Sequence, residues 1–76
     1  MPWTRKLAKP IRLRDGRELV TLADARALIL GLTERAQARP FWVYTAELLL
    51  EAAESDYDLT QVSLQLWRAL MRDGML

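Results

Sequence analysis

Asp15-Gly16 lies between two short segments of strand-like pattern, and this arrangement constrains the fold more than any other part of the chain. Ile11 to Arg14 alternates apolar and basic residues, and Arg17 to Thr21 resumes with Leu19 and Val20. The pattern predicts a β-hairpin. Asp-Gly suits a two-residue type I′ turn, whose central positions both need positive φ, easy for Gly and tolerable for Asp. In that register Ile11 faces Val20 and Leu13 faces Glu18, with Arg12, Arg14, Arg17 and Leu19 on the opposite face. A loop one residue longer pairs Arg14 with Glu18 and Leu13 with Leu19, and the pattern alone does not decide between the two. Pro10 fits the start of an edge strand, where a missing N–H is harmless.

Helical signals fill the remainder. Thr21 followed by Asp24 is a capping arrangement, so a helix is expected from Leu22. Leu22, Ala25, Leu28, Ile29 and Leu32 form its apolar stripe, and Gly31 marks its end. Thr33 to Arg39 reads as a short loop or a single helical turn. Arg39 precedes a proline and is pushed out of the α region, so a second helix should open at Pro40 and run to about Glu54. Its apolar residues cover more than one stripe, the mark of a central helix. Ser55 to Asp58 breaks the pattern, and either Asp58 with Gln61 or Thr60 with Ser63 caps a third helix. That helix carries Val62, Leu66 and Leu70 on one side and Leu64, Trp67 and Met71 on another, ending near Gly74. The expected class is α+β in β-β-α-α-α order. Residues 1–9 read as a mobile basic arm and 10–76 as one domain.

A chain of 76 residues leaves little margin of stability without a disulfide, a metal or a second copy. It has no Cys and no His, which removes disulfides, thiolate chemistry, the commonest zinc ligand and the commonest general base. Self-association remains. The surplus apolar residues of the second and third helices point the same way, and Trp42, Leu49, Leu64, Trp67 and Met71 are the candidate dimer-interface residues. The hairpin could also pair edges with its symmetry mate to give a four-stranded sheet.

Residues 1–17 hold Arg5, Lys6, Lys9, Arg12, Arg14 and Arg17 against Asp15 alone, a local balance of +5, while the other residues sum to −4. These six cations, near Trp3, are the candidate anion or nucleic-acid contacts. The plainer reading is a solvated face that discourages edge-to-edge aggregation. Glu47, Glu51 and Glu54, with Asp56 and Asp58, offer oxygen ligands to a hard cation. They lack the spacing and glycine of a calcium loop, so they read as solvated. Ser55 and Ser63 have no histidine partner, and no phosphate loop or nucleophile elbow occurs. Neither catalysis nor a cofactor is expected. No signal peptide or membrane span is visible, so the chain reads as cytoplasmic.

Three runs have a familiar layout: Pro10-Ile11-Arg12-Leu13-Arg14-Asp15-Gly16-Arg17, Thr21-Leu22-Ala23-Asp24-Ala25, and Ala46-Glu47-Leu48-Leu49-Leu50-Glu51-Ala52-Ala53. The chain resembles small hypothetical proteins of rhizobia and related alphaproteobacteria, and more loosely the bacterial domain of unknown function 982. The resemblance implies this fold and a bacterial cytoplasmic setting, and carries over no site residues. The expected role is a non-enzymatic interaction or accessory module acting as a homodimer, with a nucleic-acid-binding hairpin as the alternative.

Overall fold

The computed structural model describes residues 2–55 and 59–76. Strands β1 (Lys6–Arg12) and β2 (Glu18–Thr21) form an antiparallel hairpin, and helices α1 (Leu22–Leu30), α2 (Glu34–Gln37), α3 (Pro40–Glu54) and α4 (Thr60–Arg72) follow. This is the expected α+β order, and α2 is the single turn that the polar Thr33 to Arg39 segment left open. Asp58, one of the two proposed caps of α4, lies outside the described residues. Thr60 is the first residue of α4 rather than its cap.

The hairpin register differs from both expectations. Ile11 pairs with Leu19 and Arg12 with Glu18. The Leu13 amide donates to the Arg17 carbonyl at 2.7 Å and the Gly16 amide to the Leu13 carbonyl at 3.0 Å. The loop is therefore Arg14-Asp15-Gly16, with Gly16 alone at positive φ, +96°. The extra residue comes from the β1 side, so Asp15 escapes the left-handed region that a type I′ turn would impose. The Asp15 carboxylate accepts from the Arg17 amide at 3.0 Å and from Arg17 Nε at 2.8 Å. Those contacts, the backbone one first, hold its carboxyl below the usual carboxylate range. The changed register also moves Leu19 to the buried face with Ile11 and Leu13, while Val20 is only half-buried.

A bulge separates the Ile11 pairing from a second one, Lys6 with Thr21. The Ala8 amide, displaced from the ladder, donates instead to Ser63 Oγ on α4 at 2.9 Å. Ser63, considered above as a helix cap, thus ties the strand to the helix. A partly buried backbone donor that leaves a ladder is commonly satisfied by such a side-chain partner.

Residues 2–9 are not an arm apart from the domain. Pro2–Thr4 forms a 3-10 turn, β1 begins at Lys6, and Leu7 is buried in the core. Trp3 packs against the core beneath the Arg26 guanidinium, 5.1 Å from the ring centre.

The entry to α1 follows the sequence closely. Thr21 Oγ1 accepts from the Asp24 amide at 3.2 Å, and Asp24 Oδ2 accepts from the Val20 and Thr21 amides at 2.9 and 3.0 Å. These bonds satisfy donors that a helix start leaves without partners. At the other end Gln37 Nε2 donates to the Ile29 carbonyl at 2.8 Å. Arg39 holds an extended conformation before Pro40, where α3 begins as the proline demands.

Leu22, Ala25 and Leu28 of α1, Trp42, Leu49, Ala52 and Ala53 of α3, and Val62, Leu66, Ala69 and Leu70 of α4 meet the hairpin's Leu7, Ile11, Leu13 and Leu19 in one core. Fully burying a leucine there stabilises by about 1.5–3 kcal/mol. Thr45, wholly buried, donates to the Phe41 carbonyl at 2.6 Å and accepts from Gln65 Nε2 at 3.2 Å. Among the described residues no buried side-chain nitrogen or oxygen lacks a partner, and no helix is long and apolar enough to cross a membrane.

Candidate functional site

The six N-terminal cations separate into two groups. Arg5 Nη1 donates to the Ala52 and Ser55 carbonyls at 3.0 and 2.8 Å, placing a cation on the C-terminal end of α3, where the helix dipole favours it. Arg14 Nη2 donates to the Leu76 carbonyl at 3.0 Å while the Arg14 amide donates to the Met75 carbonyl at 2.8 Å. Arg17 is paired with Asp15. Arg5 thus ties the chain entering β1 to α3, whereas the Arg14 and Arg17 side chains make their bonds at exposed positions. Lys6, Lys9 and Arg12 are exposed, and Lys9 and Arg12 line a groove of about 400 Å³ between β1 and α4, whose apolar wall includes Pro10, Leu64 and Trp67.

The five dimer-interface candidates divide as well. Trp42 and Leu49 belong to the core of the protomer itself. Trp42 is completely buried, and its Nε1 donates to Asp73 Oδ2 at 3.3 Å, the same carboxylate that pairs with Arg39. Helix α3 is apolar on nearly every side, and the arc holding Trp42, Leu49 and Ala53 is the one enclosed by the rest of the chain. Neither residue offers surface to a partner. Leu64, Trp67 and Met71 stay between 41% and 53% exposed. At spacings of three and four they form one outward stripe two turns long, the outer side that the sequence pattern had separated from Val62, Leu66 and Leu70.

A second apolar face had no place in the sequence reading. Leu30, Val43 and Leu50 are between 44% and 65% exposed. A shallow pocket of about 190 Å³ beside them is lined by Trp3, Arg26, Ile29, Leu30, Ala46 and Leu50. Val43 and Leu50 are seven residues apart on α3, with Glu47 and Glu54 each four residues further on, so a carboxylate borders each apolar residue. The available signal was Leu30, which falls outside the α1 stripe and has no inward role.

The two faces carry different charge. On the α1/α3 face Arg26 stands on one helix and the glutamates on the other. Around the α4 stripe the lining side chains with charge are Lys9 and Arg12 on one flank and Arg68 and Arg72 on the other, and among the described residues neither groove contains Asp or Glu. Arg72 is also stacked on the Phe41 ring at 5.8 Å.

Among the described residues the serine and carboxylate groups considered above do not converge. Ser55 Oγ donates to the Glu51 carbonyl at 2.8 Å, and Ser63 is occupied by the Ala8 amide. Among the described residues no three carboxylates gather closely enough to hold a metal ion, and Asp56 and Asp58 lie outside them. No protein-family model, curated protein or solved structure matches the chain, so the resemblance noted from the sequence rests on the layout of its elements.

Proposed function

We propose that this chain is a non-catalytic protein-interaction module that works as a homodimer, with the α1/α3 face as the contact between copies. One observation carries the reading: Leu30, Val43 and Leu50 are exposed on a face that bears Arg26 on one helix and Glu47 and Glu54 on the other. A two-fold pairing that lays α1 of one copy on α3 of the other buries the leucines and sets Arg26 against those glutamates. Such self-complementarity is what a closed symmetric contact requires. Burial of these side chains also supplies apolar area that a chain of this size needs.

The hairpin reading has less support, since Arg5 is committed within the fold and Arg14 and Arg17 already have carbonyl and carboxylate partners, which leaves Lys6, Lys9 and Arg12 as the hairpin cations without one among the described residues. Sedimentation velocity from about 1 to 200 μM tests the dimer, a range that brackets weak self-association. A mass shifting from monomer to dimer, and held at monomer by Leu50→Lys, supports it. A monomer throughout refutes it.

A further inference from the structure

The α4 stripe is the apolar surface that the dimer reading leaves uncovered, and its surroundings restrict what covers it. Leu64, Trp67 and Met71 run along about 10 Å of helix, the length of two turns. A ridge at this spacing is complementary to another amphipathic helix laid along it. Lys9 and Arg12 on the β1 side and Arg68 and Arg72 on the other give the stripe cations along both margins. Two copies meeting here by their own α4 helices would bring eight such cations together, with no carboxylate among the described residues of either groove to offset them, and like charges across an interface oppose association. Phosphates would satisfy the cations but leave three large apolar side chains uncovered by any matching surface.

We infer that the α4 face is a docking site for an acidic amphipathic helix of another protein, one with an apolar ridge of about three turns and carboxylates on both flanks. The inference rests on the reading of the chain as an interaction module and names the partner of its second face. Trp67 and Leu64 receive the apolar ridge at the groove beside Pro10. Lys9 and Arg12 meet one row of carboxylates, and Arg68 and Arg72 the other. Exposed rim charges of this kind select the partner and steer its approach, and the apolar centre holds it.

The test uses the full chain and a labelled synthetic peptide of about 14 residues, long enough for nearly four helical turns. It has leucines at spacings of three and four and glutamates on both flanks, and a twin peptide carries lysines in their place. Fluorescence anisotropy at low salt should give a dissociation constant on the order of 10 μM for the acidic peptide, the range of small transient interfaces. The lysine twin should bind at least about tenfold more weakly, and salt at about 0.5 M should weaken the acidic peptide several-fold. Trp67→Ser should abolish binding. Arg12→Glu with Arg68→Glu, both at exposed positions, should reverse the preference between the twins while circular dichroism stays unchanged.

Equal binding of the twins overturns the inference, as does tighter binding of a single-stranded oligothymidine than of the acidic peptide. Assembly beyond a dimer that Trp67→Ser reduces to the dimer also overturns it, because a second copy would then occupy the site. Failure of both peptides to bind a chain that still dimerises overturns this inference and leaves the dimer standing. A monomeric chain that selects the acidic peptide has the opposite meaning.

Discussion

Replacing Asp24 by alanine isolates the entry to α1. The carboxylate accepts from two consecutive amides, Val20 at 2.9 Å and Thr21 at 3.0 Å, and Thr21 Oγ1 returns a bond to the Asp24 amide. Bonds to a charged acceptor contribute about 1.5–3 kcal/mol each when sheltered, and Asp24 is half-exposed, so water recovers part of the loss. Alanine adds back a few tenths through helix propensity. The net expectation is a loss of about 2 kcal/mol, or roughly 10 °C in Tm for a domain of this size. The same two backbone bonds, to Val20 first and Thr21 second, lower the Asp24 pKa from its ordinary value of 3.8. A depressed carboxylate stabilises the folded state at pH above its unfolded value and ceases to do so as pH falls through its folded value. Urea unfolding of wild type and Asp24→Ala at neutral pH and at successively lower pH should show the full difference above about pH 5 and a narrowing gap below about pH 4. A gap under about 0.5 kcal/mol at neutral pH is below the usual cost of a lost cap and refutes the capping assignment. A gap that widens on acidification refutes the electrostatic part.

Two further substitutions test the hairpin. Ser63→Ala removes the acceptor of the displaced Ala8 amide and should cost about 1–2 kcal/mol, with hydrogen exchange at Ala8 accelerated more than at Leu13; unchanged exchange at Ala8 would contradict the bridge. Gly16→Ala meets no atom within 4 Å of the added methyl, so its expected loss of about 1 kcal/mol in chemical denaturation comes from the positive φ alone; a stabilised variant would show that the loop has another conformation.

What could be read from the residues alone was local. Thr21 with Asp24, and Arg39 before Pro40, set helix boundaries through contacts spanning a few residues, and the 3.6-residue period of α4 separated Leu66 from Trp67 correctly. The register was not legible, because Asp15-Gly16 is compatible with several loops. The bulge is stabilised by Ser63, 55 positions away from Ala8. Trp42 and Leu49 were misplaced for a related reason: on a helix apolar all round, periodicity cannot tell which arc the rest of the chain encloses. Arg5 and Arg14 looked like ligands for an external anion because their carbonyl partners, in Ser55 and Leu76, are remote in sequence.

The bulge in β1 has a consequence for how the molecule avoids polymerising. A strand recruits another through a row of free amides, and along the side of β1 that faces α4 the Ala8 amide is taken by Ser63 while Pro10 has none to give. The β1 edge of the hairpin is therefore a poor template for a further strand, because two of its donor positions are spent or absent where a four-stranded pairing through β1 would need them. Growth by strand addition at β1 would first require α4 to lift away. The rate of fibrillar growth through the β1 edge should accordingly follow the opening of that one helix, and a ligand that clamps α4 down would act as an inhibitor of it.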